Sequence, residues 1–533
     1  MIQGQRAYGA RPWLPSCRAC GAQAHQRFVG AFGAQAHQRF VGACGAQAHQ
    51  RFVGAFGAPT AETEFNPPMK RRTFLQMSIP VAAGLVLPAC KGIQAGPEPV
   101  GVSLVLRGGK AFYQGRWQTI DVGIDFNNRL RFGNNLSAPQ VLSVKDLVIA
   151  PGFIDILADN STSPETTYSI FERYKVSDGV TTALQMHGGS PDCGSYYRRF
   201  SALQHLTNFG VSTFVMSIRN RAGGLASTRL LIEKNLDEGA LGVSHSIEYQ
   251  PAPYTELLQY AKLAKKYDRP FCLHLRYSSK EKELDGVVEA IRLATDSGAR
   301  LHIAHLHSTG GTFHMEQALE KIRKANDEGH TITTCVYPYS YWATYLYNNR
   351  FGPGWQERYG LTYNDLRIVG SSERLTARTF AHYRKTPKLA AVPEGTMPLK
   401  DTVDLALKED FCMFGSDGGI QFEPRANSHP RGAGCFATAV RHGLDIGLPL
   451  EKIIEKMTAL PRRLMHPVLK NRGVLEDGAV ADLTVFDPEK IRGKATVENP
   501  NQFSSGIEVV IVNGKIAFKE GAPAHKGGLA IKA

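Results

Sequence analysis

The residues best suited to chemistry in this chain are histidines and acids that close short apolar runs. His187 follows VTTALQM, His274 lies in PFCLHL, His305 and His307 lie at the end of RLHIAHL, and Asp417 lies in FCMFGSDGG. His245 and Glu248 stand around the end of LGVSHSI, and Tyr337 lies in TITTCVYPY. Neutral imidazoles and carboxylates suit zinc, and a carboxylate beside a metal ion's water can take its proton. Such a set points to metal-assisted hydrolysis.

The elements that must position these groups follow from the same runs. From Ile149 the chain alternates apolar segments with helical stretches: LVIAPGFIDIL, VTTALQM, VSTFVMSI, LGVSHSI, PFCLHL, RLHIAHL, TITTCVYPY and FCMFGSDGG. Eight βα units predict an α/β fold, a (β/α)₈ TIM barrel, whose reactive groups sit at the C-terminal ends of the strands. The histidines and Asp417 fall at those ends. Between the fifth and sixth runs Val287, Val288, Ile291 and Ala294 repeat at helical spacing, with Gly298 as the stop. After the fourth, Thr255 is placed to cap a helix with Leu257, Ala261 and Ala264 on one face. The connection from about Ser340 to Glu409 is long and rich in Tyr, Gly and Pro, as expected of a segment that covers a substrate.

Alternating β patterns bracket the barrel, and Asn513-Gly514 between two β-rich arms is a hairpin signal. Residues 91–148 and 467–533 are expected to join into a small β-sandwich domain, leaving 149–466 for the barrel.

Of the 533 residues 43% are hydrophobic, enough for a large core. The net charge of +14 is uneven: nine basic and two acidic residues precede Cys90, so half of the excess lies outside the folded region. No nucleic-acid partner is implied. Cys193, Cys272, Cys335, Cys412 and Cys435 are odd in number and mostly within apolar runs, which argues against a disulfide framework.

The first ninety residues read differently. GAQAHQRFVGA recurs three times between residues 21 and 55, with too few apolar side chains per unit to pack. Residues 1–68 are read as a non-native upstream extension and Met69 as the initiator. Lys70, Arg71 and Arg72, an apolar stretch to Leu87, then Pro88-Ala89-Cys90 form an export signal too short to span a bilayer. RRTFL resembles a twin-arginine signal, and LPAC resembles a lipobox with Cys90 as the lipidated residue. The expectation is an exported protein facing the periplasm or anchored to a membrane by that lipid.

APGFID at 150–155, DGVTT at 178–182, GALGVSHSIEY at 239–249, LHLR at 273–276, IAHLHSTGG at 303–311, GSDGG at 415–419, HPRGAG at 429–434 and ADLTVFDP at 481–488 together resemble the amidohydrolase superfamily. Within it the N-acyl-D-amino-acid deacylases are the most similar. The resemblance implies a zinc-dependent hydrolase of linear amides acting on an acyl-amino acid. It makes His274 and His305 metal ligands and Asp417 the acid/base that also touches the metal.

The chain also departs from that family. Where strand 1 usually ends in His-x-His, this sequence has Leu157-Ala158-Asp159, so only Asp159 offers a donor. Near the usual strand-2 Cys it has His187, read as a replacement ligand, with a contact to a ligand or to the substrate as the alternative. The Lys expected two residues after the strand-6 His is His307, and a small hydroxyl residue is replaced by Ala343. Tyr337 matches a carboxylate-binding Tyr, while Arg276 and Arg431 are candidates to grip an anionic substrate. His245 and Glu248 occupy positions where other superfamily members place a bridging ligand. A single zinc ion is therefore expected. The rival readings are an amidohydrolase of cyclic amides or dipeptides and a non-catalytic binding lipoprotein.

Overall fold

The computed structural model describes residues 100–158, 167–385, 390–394, 400–421 and 425–533. The repeats, the signal-like segment with Cys90, and Asp159 lie outside the described residues.

Eight strands form one parallel sheet in chain order: β1 (Phe153–Asp155), β2 (Val180–Ser190), β3 (Asn208–Phe214), β4 (Val243–Ser246), β5 (Phe271–His274), β6 (Leu301–Ile303), β7 (Ile332–Val336) and β8 (Cys412–Phe414). The helices Tyr254–Lys266, Glu283–Ser297 and Met315–Asp327 cover its outer face with apolar stripes. The second ends on left-handed Gly298 (φ 66°), as its sequence predicts. The first starts two residues earlier than expected, with Pro253 rather than Thr255 at the cap position. Proline tolerates that position because the N–H it lacks has no partner within the helix.

Alternation along the strands sends Leu184, Met186, Cys272, Ala304, Cys335 and Met413 into the barrel, where they pack with Ile156, Leu157 and, from beyond β8, Leu460, Leu464 and Ile531. The barrel is thus a filled core, in which buried Ser244 and His302 stand level with Cys272. Between β1 and β8 the join is made by side chains. Asp155 accepts bonds from Ser416 N (3.0 Å), Ser416 Oγ (2.5 Å) and Leu157 N (3.1 Å). Lys175 Nζ adds a fully buried ion pair at 3.1 Å, donates to Ser416 Oγ, and lies 5.0 Å from the centre of the Phe171 ring.

The first apolar run divides. Val148–Pro151 pairs antiparallel with Leu483–Phe486 in a second sheet, and only Phe153–Asp155 enters the barrel. The chain changes sheets at Gly152, where a Cβ would lie 2.2 Å from Thr181 Oγ1. That second sheet has nine strands, drawn from Leu104–Pro151 and Leu483–Pro523, and sits beside a two-stranded parallel piece, Val100–Gly101 with Leu136–Ser137. Leu106, Val122, Ile149, Leu483, Val485 and Ile511 form its core. Asn513 (φ 48°) and Gly514 (φ 78°) make the tight hairpin turn, the geometry that matches strand twist. All five described cysteines are free and buried.

Candidate active site

The mouth of the barrel brings His187, His274, His305 and Asp417 together. Ligating atoms of the three histidines lie within 4.8 Å of one another. His274 Nδ1 is 3.2 Å from His305 Nε2, and His187 Nδ1 is 3.0 Å from Asp417 Oδ1.

Each side chain arrives by a different local device. His274 shares the inward parity of Cys272 on β5. His187 follows inward-facing Met186 and would by alternation point outward, but the β2–β3 register shifts after Gln185, and this irregularity turns it to the mouth. Gly189 permits that shift with φ 105°, where a Cβ would lie 2.2 Å from Ser212 O. His305 (φ 31°) and Asp417 (φ 48°) hold left-handed backbone that non-glycine residues rarely adopt. Such conformations cost about 1–3 kcal/mol and persist where the surroundings enforce them, commonly at functional sites.

The outer nitrogens of the two buried ligand histidines are held. Glu248 Oε2 lies 2.8 Å from His274 Nε2, and Ser308 Oγ lies 3.0 Å from His305 Nδ1. The Ser308 hydroxyl also donates to His305 O at 3.1 Å, so it accepts from the ring. With Glu248 accepting from Nε2–H, the lone pairs of His274 Nδ1 and His305 Nε2 face each other across 3.2 Å. Two lone pairs at that distance repel unless a cation sits between or beside them. The donor set therefore fits a metal ion of the zinc type, with each imidazole fixed by an outer partner. Burial pushes both ring pKa values down, that of His305 strongly, which keeps them neutral and able to ligate.

Asp417 carries the opposing charge. Burial alone would raise its carboxyl, but Arg431, His305 and His187 hold it well below the usual carboxylate range. Arg431 Nη2 meets Oδ2 at 2.6 Å, and its Nε donates to the Asp417 carbonyl at 2.8 Å, so one guanidinium fixes both side chain and backbone. Glu248 likewise stays ionised: Arg350 and the bond to His274 outweigh burial and bring it to about 2.

A cavity of about 310 Å³ opens onto these groups. His187, His274, His305, Asp417, Tyr337 and Arg431 line it, together with Tyr249, Trp342, Asn348 and Arg350. The long β7–β8 connection supplies the last three of these, so it forms a wall of the site. Two expected substrate contacts are not among the lining residues. Arg276 forks onto Glu289 with two bonds of 3.0 Å and donates to Ala252 O, which turns it toward the helix Glu283–Ser297. His307 is fully buried, edge-on to Tyr337 at 4.1 Å. His245 lies between Ser244 and Ser246 on β4; Ser246 faces His187, and His245 packs outward against Tyr260. Sequence reasoning missed Arg350 and Tyr249. The available signal for Arg350 was a lone cation in the aromatic stretch YWATYLYNNRFGPGW.

The sequence profile of the amidohydrolase family matches residues 148–517, and the chain belongs to that family. Among curated relatives, the N-acyl-D-glutamate deacylase of Alcaligenes xylosoxydans xylosoxydans is 26% identical over 492 residues, covering 80% of this chain and 96% of that protein. The D-aminoacylase of the same organism is 28% identical over 454 residues, covering 75% and 91%. The crystal structure of N-acyl-D-glutamate deacylase from Bordetella bronchiseptica, complexed with zinc and a phosphonate mimic of the tetrahedral intermediate, superposes with a TM-score of 0.70. It is 24% identical, over 81% of this chain and 100% of that one.

Proposed function

We propose that this chain is a zinc-dependent hydrolase that cleaves the amide bond of an N-acyl-D-amino acid, releasing a carboxylate and the free amino acid. The observation that carries the reading is the pair of imidazole lone pairs converging across 3.2 Å beside Asp417. The relatives' substrates support the linear-amide class.

His187, His274 and His305, with Asp417, would hold the ion. When bound, zinc supplies a Lewis acid and lowers the pKa of water in its shell. The remaining work belongs to the chain. Asp417, ionised beside Arg431, accepts the proton of the attacking water and returns it to the departing amine. Arg431 keeps that carboxylate aimed into the cavity through the paired contacts to side chain and carbonyl. Arg350, Arg431 and Tyr337 line the cavity, and an acidic acyl-amino acid such as N-acyl-D-glutamate, the substrate class of one relative, is the substrate we read for it. Leu157, fully buried in the barrel core, offers no donor at the end of β1, which supports a single ion. Export through the twin-arginine-like segment and anchoring by a lipid on Cys90 belong to the same proposal and rest on the sequence of residues 69–90.

The test combines metal content with hydrolysis of N-acyl-D and N-acyl-L amino acids, hydantoin and dihydroorotate. About one zinc per chain, turnover of the D-acyl series and a fall of about 10²- to 10⁴-fold in kcat for Asp417→Asn with zinc retained are expected. Full activity of that variant at full zinc content would remove Asp417 from the chemistry. Turnover of the cyclic amides alone would replace the substrate class.

A further inference from the structure

We propose that Arg350 is a positioning residue for the metal centre, anchoring from the β7–β8 connection both groups that orient the ligand histidines. The inference rests on the zinc reading of the site given above.

Three contacts carry it. Arg350 Nη2 donates to Ser308 O at 3.0 Å, and the Ser308 hydroxyl holds His305 Nδ1. Arg350 Nε lies 3.7 Å from Glu248 Oε1, and the other carboxylate oxygen of Glu248 holds His274 Nε2. Tyr359, from the same connection, donates to Glu248 Oε1 at 2.6 Å. Two ligands from different strands thus depend on one side chain that belongs to neither strand.

The guanidinium is itself held firmly. It lies 4.1 Å from the ring centre of Trp342 and 5.1 Å from that of Tyr359, and Arg350 is only 4% exposed. Stacking suits the planar guanidinium and would not hold an ammonium in the same way. Glu248 is a buried carboxylate that needs compensating charge, and Arg350 is the cation beside it. With Arg350 removed, the Glu248 carboxylate has less reason to stay dry and aligned on His274. The Ser308 backbone loses its tie at the same moment. Outer partners of metal-bound histidines fix ring orientation and typically account for about 10- to 100-fold in affinity. Seating of the β7–β8 connection and retention of the ion are therefore coupled through one residue.

The experiment measures zinc affinity by chelator competition and the visible spectrum of the cobalt-loaded full chain. The variants are Arg350→Met, Glu248→Gln, their double combination and, as a control, Phe380→Leu. Phe380 packs on Trp355 and Phe351 of the same connection without touching the guanidinium contacts. Arg350→Met and Glu248→Gln should each weaken zinc by about 10- to 100-fold and shift the cobalt bands. The double variant should lose less than the product of the two, because both act through His274. Phe380→Leu should lower Tm and leave zinc affinity and spectrum unchanged.

An Arg350→Met protein with wild-type affinity and spectrum overturns the proposal, as does one whose only change is a lower Tm. If that variant does not fold, Arg350→Lys decides the matter, since an ammonium cannot reach both acceptors while stacked, and it too should weaken zinc. A wild-type chain that binds neither metal defeats the zinc reading and this inference together. Wild-type binding with indifferent variants defeats the Arg350 role alone.

Discussion

Two clusters of buried polar side chains sit at the barrel mouth, and they are built to opposite ends. At β1 and β8 the Asp155 carboxylate receives Lys175, the Ser416 hydroxyl and two backbone N–H groups, so its acceptor positions are filled. At β5 and β6 the imidazoles are satisfied only on their outer sides, by Glu248 and Ser308, and aim lone pairs at each other. A cluster that closes on itself knits strands together. A cluster whose unfilled valences converge is a place for a ligand. Leu157, at the first position of the family's usual His-x-His pair, joins the first kind only through its backbone, whose N–H donates to Asp155.

Breaking the closed cluster should give the larger effect on the fold. Lys175→Met leaves Asp155 buried without its cation, and removing one partner of a buried pair costs about 3–5 kcal/mol. That is a large share of a total stability of about 5–15 kcal/mol. Denaturant unfolding should register the loss, while zinc content of the folded fraction stays unchanged. Loss of zinc with stability intact would mean that the two clusters are not separate.

Acid should sharpen the contrast from the other side. Burial pushes His302, on β6, and His307 down to about 3, whereas in an unfolded chain both titrate near 6.5. Below pH 6.5 the unfolded chain binds protons that the folded chain refuses, so stability falls as pH falls; above that value these residues contribute no pH dependence. Each contributes a slope of about 1.4 kcal/mol per pH unit within the window. Glu248 and Asp417 lose their stabilising charge only at lower pH, below the ordinary carboxylate range. Between pH 6.5 and 5 the metal-free protein should therefore lose stability. His302→Gln should flatten that slope by roughly a sixth, because burial also pushes His245, His274, His305, His307 and His429 down. An unchanged slope would show that His302 accepts a proton in the folded state.

The barrel was legible because its strands are buried on both faces and read as apolar runs, which made the eight units countable. The division of the first run at Gly152 was not legible. Both halves are apolar, and which sheet each joins depends on Leu483–Phe486, more than three hundred residues away in sequence. At the site, His187, His274, His305 and Asp417 were visible because a reactive residue after a strand run has a predictable place. Arg350 has no such frame: it lies in an aperiodic connection and reaches the mouth through stacking on Trp342. Glu248 was visible as a possible ligand, yet spacing does not distinguish a ligand from the residue that orients one. Only the 2.8 Å contact to His274 Nε2 does.

The smallest effect separates two arginines that look alike in sequence. Arg276 follows a ligand histidine by two residues and Arg431 follows the HP pair, so each is a candidate to hold a substrate carboxylate. In the fold the Arg276 guanidinium is committed to Glu289 and Ala252 O, and it is more than a third exposed. Arg276→Met should cost no more than about 1 kcal/mol of stability, as for other exposed pairs, and leave KM unchanged. Arg431 lines the cavity and bonds Asp417, so its replacement should alter kcat and KM together. Steady-state kinetics on the best acyl-amino acid decide between them. A rise in KM for Arg276→Met with kcat preserved would place substrate across the rim toward the helix Glu283–Ser297 and enlarge the site beyond the cavity described.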